Sequence, residues 1–216
     1  MSTIQANPAA PVQAGFLPGS GGFPASRTCA VLQQAGQAAQ NARQRCLSAA
    51  QSLSGAGLYV LVHALHFTAA QEKEHAAVFR GLLAARGVQL LPDDLPCAMP
   101  ADPLALLQGL IQSEADAAER LYPLCAETAR AEGYPRIAGA LLRMAETKDR
   151  HVRRFRQYEQ ALRSGTLFRH DTRVSWVCIP CAQLHIGCEP PERCASCGSD
   201  RGHFIRSSGY PFALEE

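Results

Sequence analysis

Gln71-Glu72-Lys73-Glu74-His75-Ala76 marks the point where a long apolar helical pattern first acquires charge, since no Asp or Glu precedes Glu72. A helix advances about 100° per residue, so Glu72 and His75 stand one above the other on one face. That is a spacing at which a carboxylate and an imidazole can hold one metal ion. The same pair also occurs on ordinary solvated helix faces, so the surrounding pattern must decide. Spacings of three and four place Leu61, Leu65, Thr68, Glu72, His75, Phe79 and Leu82 on one stripe of a helix running from about Leu58 to Arg86. Glu72 and His75 therefore fall on the buried stripe, where such groups must be metal-bound, ion-paired or neutralised. Glu74 points elsewhere, to solvent.

Three further helices follow from the same reading. The first spans about Thr28 to Leu53, with the seam Thr28, Leu32, Ala35, Ala39, Ala42, Cys46, Ala49 and Leu53, and Gly55 and Gly57 end it. Residues 87 to 102, with Pro92, Pro96 and Pro100, are too long for a tight turn and read as a crossover. Asp102-Pro103 supplies an N-cap and a first-turn proline for the next helix, whose seam is Leu104, Leu107, Ile111, Glu114, Ala118, Leu121, Cys125 and Thr128. After Gly133 and Pro135 the last helix gives Ile137, Leu141, Met144, Lys148, His151, Phe155, Tyr158 and Leu162. Arg143, Arg150, Arg153, Arg154 and Arg156 mostly miss this seam and read as a solvated face. Four long helices with a crossover between the second and third describe a mainly α, ferritin-like four-helix bundle over residues 28–164. Its polar seam residues Glu72, His75, Glu114, Lys148 and His151 fall in one layer near mid-helix.

Around the bundle the composition changes. Residues 1–27 are rich in Ala, Pro, Gly and Ser and read as a disordered tail; 165–175 read as a linker, and 207–216 as a C-terminal tail. Between the last two lies a module over residues 176–206. There Cys178-x-x-Cys181, twelve residues, and Cys194-x-x-Cys197 put four thiolates on two knuckles around a tetrahedral metal. Iron and zinc both accept four thiolates, and a module this small needs the metal to fold. Cys188 has no assigned role, while Cys29, Cys46, Cys97 and Cys125 read as small packing residues.

The net charge of +2 and pI of about 8.1 are too mild to argue for nucleic acid or anionic lipid. No apolar run approaches the roughly 20 residues of a membrane span, and no export signal opens the chain. Nine cysteines, four of them in Cys-x-x-Cys pairs, suit metal binding in a reducing cytoplasm.

A bundle followed by a small four-cysteine module resembles the rubrerythrin family, over about Thr28 to Phe204. The matching segments are Ala42-Arg43-Gln44-Arg45, Glu72-Lys73-Glu74-His75-Ala76, Leu121-Tyr122-Pro123, Glu132-Gly133-Tyr134, and the rubredoxin-like cysteine spacing with Trp176 and His185. The resemblance implies a peroxide-reducing di-iron site in the bundle, fed with electrons through an Fe(Cys)4 centre, and a homodimer with a pyridine-nucleotide-linked reductase as partner. Carried over by residue, the ligand positions Glu72, His75, Glu114 and His151 remain. Three others are Ala39, Ala117 and Lys148. Two irons would bring about four positive charges to a layer with two carboxylates and an added ammonium, which electrostatics disfavours.

The expectation is that Lys148 replaces the metals, ion-paired with Glu72 and Glu114, with His75 and His151 completing the hydrogen bonds. A weaker reading keeps one metal on Glu72, His75, Glu114 and His151. One iron, or one zinc, is expected at the cysteines and no di-iron centre in the bundle. The function expected is electron transfer through Fe(Cys)4, with no catalytic residue assigned; the alternative is a non-enzymatic, zinc-stabilised assembly or sensor protein. The rubredoxin-like knuckles usually carry Gly after the second Cys. Gly198 fits that pattern, and Ala182 departs from it.

Overall fold

The computed structural model describes residues 22–91 and 98–209. Five α-helices, α1 (Arg27–Ser54), α2 (Tyr59–Ala84), α3 (Pro103–Asp116), α4 (Tyr122–Ala131) and α5 (Pro135–Arg163), build the bundle. α3 and α4 are one continuous rod joined by a π-helical turn at Ala117–Leu121. The rod is therefore the third helix of a four-helix bundle. Short connections make α1 and α2, and α4 and α5, successive neighbours, whereas the α2–α3 connection is the long crossover, of which residues 92–97 lie outside the described residues.

The ends are capped as the local chemistry demands. Asp102 accepts from the backbone N–H of Ala105 at 2.7 Å, with Pro103 in the first turn of α3. At α1, Ser26 accepts from Cys29 N at 3.0 Å. Glu132, 104 residues away, accepts from both the amide (2.8 Å) and the hydroxyl (2.7 Å) of Thr28. Those contacts, the Thr28 hydroxyl foremost, hold the Glu132 carboxyl down at about 2.

Residues 1–21 of the expected tail lie outside the described residues, but its last six are built into the fold. Phe23 is buried edge-on against Tyr134, ring centroids 5.5 Å apart, so an isolated aromatic in a Pro/Gly-rich stretch anchors the entry to α1. Likewise the stretch expected as a linker packs Leu167 and Phe168 against the bundle, and its last two residues open the first strand.

The module is a three-stranded antiparallel sheet in the order β2-β1-β3, with β1 (Val174–Cys178), β2 (Leu184–Gly187) and β3 (Phe204–Arg206). Trp176 is fully buried among Cys178, Cys194 and Phe204, and its indole N–H donates to Gly187 O at 3.0 Å. Val177 and its cross-strand partner Ile205 face the bundle and join the core formed by Leu53, Leu61 and Leu65.

Candidate metal centre and buried ionic quartet

The two knuckles superpose in their chemistry. Each places a left-handed residue after its second cysteine, Ala182 (φ 58°) and Gly198 (φ 75°). The amide of each donates back to the first cysteine's carbonyl, Ala182 N to Cys178 O at 2.7 Å and Gly198 N to Cys194 O at 2.9 Å. The turn thus demands φ > 0 whatever the residue, and alanine meets the demand at a strain of roughly 1 kcal/mol. The four sulfurs converge, all within 4.8 Å of one another. Cys178 Sγ and Cys197 Sγ are 3.6 Å apart, as are those of Cys181 and Cys194.

A disulfide would bring two sulfurs to about 2.05 Å, whereas a tetrahedron with metal–sulfur bonds of about 2.3 Å has an edge of about 3.8 Å. The spacing fits a single four-coordinate ion. Burial pushes the Cys178 thiol up, while the Ser199 hydroxyl and amide bring Cys197 down to about 6.

The bundle's polar layer is arranged differently. Glu72 and His75 come from α2, Glu114 from α3 one turn before the π-helical turn, and Lys148 and His151 from α5. Glu72, Glu114, Lys148 and His151 are each at most 1% exposed. Lys148 Nζ donates to Glu72 Oε2 at 2.7 Å and to Glu114 Oε1 at 3.3 Å. His151 Nδ1 is 2.9 Å from Glu114 Oε2 and 3.1 Å from Glu72 Oε1. His75 stands at the edge. Its Nδ1 is 3.5 Å from Glu72 Oε1, too long for a strong hydrogen bond, and its ring lies 6.4 Å from that of His151. Ala39 and Ala117, where the family resemblance implies carboxylates, are buried and bring only methyl groups.

The protonation of His151 follows from its neighbours. Nδ1 faces two carboxylates, which only accept when ionised. Nε2 lies 3.1 Å from Gln71 Oε1. The same oxygen is 3.4 Å from Arg154 Nη1, and an arginine can only donate. Arg154 thereby fixes which end of the Gln71 amide faces inward, and His151 must donate from both nitrogens. That is the hydrogen-bond pattern of an imidazolium. Burial alone would push its proton off, but the hydrogen bond to Glu114 and the Glu72 carboxylate beside it prevail and raise its pKa.

The same balance governs the partners. Burial would raise Glu72, yet the Lys148 ammonium holds it well below the carboxylate range; burial would lower Lys148, yet Glu114 and Glu72 hold it above the lysine range. Two carboxylates, one ammonium and one imidazolium sum to zero.

Sequence periodicity places Arg154 on a solvated face, but the structure buries it. It is 7% exposed, donates to Thr68 Oγ1 at 2.9 Å, and lies over the Phe67 ring. A lone arginine one residue off a seam looks solvated in one dimension; its long stem lets the head return to the interior. Gln71 escaped notice for a related reason, since it flanks the stripe. Cys46 is buried close to the quartet, where burial and then Glu114 and Glu72 push its thiol up. Cys29 and Cys125 are also buried, Cys188 is exposed, and Cys97 lies outside the described residues. Among the described residues, no helix is long and apolar enough to cross a membrane.

No family model matches the chain. It is similar to the rubrerythrin of Clostridium perfringens, 31% identical over 148 residues, which cover 63% of this chain and 72% of that protein. A putative rubrerythrin of Methanocaldococcus jannaschii is 31% identical over 173 residues, covering 76% and 84% respectively. Among solved structures, partially reduced nigerythrin superposes with a TM-score of 0.59 at 20% identity, over 95% of this chain and all (100%) of that one. An open-pore ferritin from Archaeoglobus fulgidus gives 0.58 at 16% identity, over 64% of this chain and 85% of the other. At these identities the structural likeness shows the fold.

Proposed function

The chain belongs to the rubrerythrin family, and from that membership we propose that it is an electron-transfer protein working through one iron at Cys178, Cys181, Cys194 and Cys197, in which an internally neutral ionic quartet has taken the place of the di-iron centre. The observation that carries this reading is the charge balance of the quartet. Lys148 Nζ lies 2.7 Å from Glu72 and 3.3 Å from Glu114, where divalent metals would need the same oxygens. Adding two irons to a cluster already at zero charge, with Ala39 and Ala117 unable to contribute oxygen, would leave about four positive charges uncompensated in a buried layer. The residues present do not fit a di-iron centre, and no peroxide-reducing step is assigned to them.

The cysteines do fit a metal. Iron bound there supplies one-electron chemistry between its ferrous and ferric states. The chain's own contribution is to hold the four sulfurs at tetrahedral spacing, to wall one side with Trp176 and Phe204, and to leave Cys181 and Cys197 exposed for exchange with a partner. A cytoplasmic homodimer served by a reductase completes the proposal.

The test is metal content per chain on protein purified anaerobically, with the optical spectrum of the oxidised form. About one iron with thiolate-to-iron absorption is expected. About three irons would return the bundle to peroxide chemistry. One zinc and no iron would favour the alternative of a zinc-stabilised assembly or sensor protein.

A further inference from the structure

Two histidines face each other where the module meets α2. His203, in the turn Arg201–His203, stacks face to face on Tyr59 of α2, with centroids 4.1 Å apart and planes 3° from parallel. Its Nδ1 is 3.1 Å from Nε2 of His63, one turn further along α2. The backbones meet closely beside this pair, since a Cβ on Gly202 would fall 2.0 Å from Gly57 O. Nothing in the metal chemistry requires these residues, and they lie beside the apolar contact that Val177 and Ile205 make with the bundle.

A neutral imidazole has one donor and one acceptor nitrogen, so the His63–His203 hydrogen bond needs a bare nitrogen on one ring. A first proton is tolerated, because an imidazolium can donate to the other ring's lone pair. A second sets N–H against N–H and two positive charges at that distance. The groups facing the pair bias this further. His66, on the next turn of α2, opposes positive charge on His63, whereas Asp200 in the module favours it on His203, and Tyr59 stacks on the His203 ring. Burial, and for His63 the neighbouring histidines, push both rings below the ordinary histidine range.

We propose that the His63–His203 pair is an acid-sensitive latch, which holds the module on the bundle while at least one of the facing nitrogens is bare and releases it when both rings are imidazolium. Because both groups are depressed in the docked state, their contribution to docking is complete above about pH 6.5 and is lost as pH falls through the lowered values. Release carries the four cysteines away from α2 and uncovers Val177 and Ile205. The latch does not depend on which metal the cysteines hold or on the state of the quartet.

Small-angle scattering on the full chain with zinc at the cysteines, from about pH 8 to about pH 5, tests the latch. The radius of gyration stays constant at the alkaline end and rises below about pH 6.5, with the same midpoint as the NMR titration of His203. His63→Gln keeps a hydrogen-bonding side chain with no proton to gain, and stays compact throughout. Gly202→Ala is open at every pH and gives the released reference. A constant radius in the native sequence overturns the latch, as does a rise of equal size and midpoint in His63→Gln. Zinc measured at each pH separates release from metal loss, and a rise that tracks zinc loss also overturns it. Should circular dichroism show His63→Gln misfolded, His203→Gln makes the same comparison.

Discussion

The four-cysteine site and the bundle quartet are both tight groups of side chains that bind metals elsewhere, but they differ in what happens to charge when no ion is added. Four sulfurs within 4.8 Å of one another have no cation of their own, and each thiolate formed repels the next. The quartet of Glu72, Glu114, Lys148 and His151 contains its own counter-ions. Ligand-type residues in one place are therefore weak evidence for a metal until their charges are summed. Lysine at position 148 changes the sum by two relative to a glutamate, and on the proposed reading this position is what sets the bundle cluster apart from the cysteines.

The largest effect that would sharpen this contrast is chelation. Removing metal from the cysteines withdraws a binding energy on the order of 10 kcal/mol. The module should then unfold with a red shift of Trp176 fluorescence, while far-UV circular dichroism of the helices persists. Equal loss of helix would break the contrast.

Next comes Lys148→Met, which leaves Glu72 and Glu114 buried against each other. It should cost about 3–5 kcal/mol in urea denaturation at neutral pH. A change under about 1 kcal/mol would mean that the pair behaves as a solvated one. The pH dependence has a definite sign. Glu72 is depressed in the fold, so its contribution is present above about pH 4.5 and lost as pH falls through the lowered value. Lys148 and His151 are raised, so theirs are complete below about pH 10.5 and 6.5 and are lost only as pH rises through the raised values. Lys148→Met should accordingly move the acid-unfolding midpoint upward.

A smaller effect follows from Gln71→Leu. This removes the acceptor shared by His151 and Arg154 and should cost about 1–3 kcal/mol, with the His151 pKa falling in an NMR titration. An unchanged His151 titration would show that Gln71 does not set its charge.

The smallest effect concerns the two knuckles. Ala182→Gly relieves left-handed strain and should stabilise the module by roughly 1 kcal/mol, read as slower metal loss to a chelator, whereas Gly198→Ala should do the reverse by a similar amount.

Much of this was legible in one dimension because helices repeat. The stripe that gathered Leu61, Leu65, Glu72 and Phe79 is the buried face of α2, and the cysteine spacing brought four sulfurs together. Three things were not legible, each because it depends on contacts across the fold. The π-helical turn at Ala117–Leu121 shifts the buried stripe from the expected Ala118 and Leu121 to Ala117 and Tyr122, a step that a spacing of three and four does not contain. Arg154 and Gln71 lie off their seams; Gln71 reaches His151, and Arg154 reaches Gln71, only through their side chains. His75 shares the seam with Glu72 but stops at the edge of the network, its Nδ1 3.5 Å from the nearest carboxylate oxygen. Phe23 shows the same limit in a short segment, where one aromatic outweighs a Pro/Gly-rich context once Tyr134 is beside it.

The most direct test of the central claim is an anomalous difference map, recorded at the iron edge, from crystals grown anaerobically with excess ferrous iron. One peak per chain is expected, among Cys178, Cys181, Cys194 and Cys197, with Lys148 between Glu72 and Glu114. A pair of peaks between Glu72, Glu114 and His151, with Lys148 displaced, would contradict that claim.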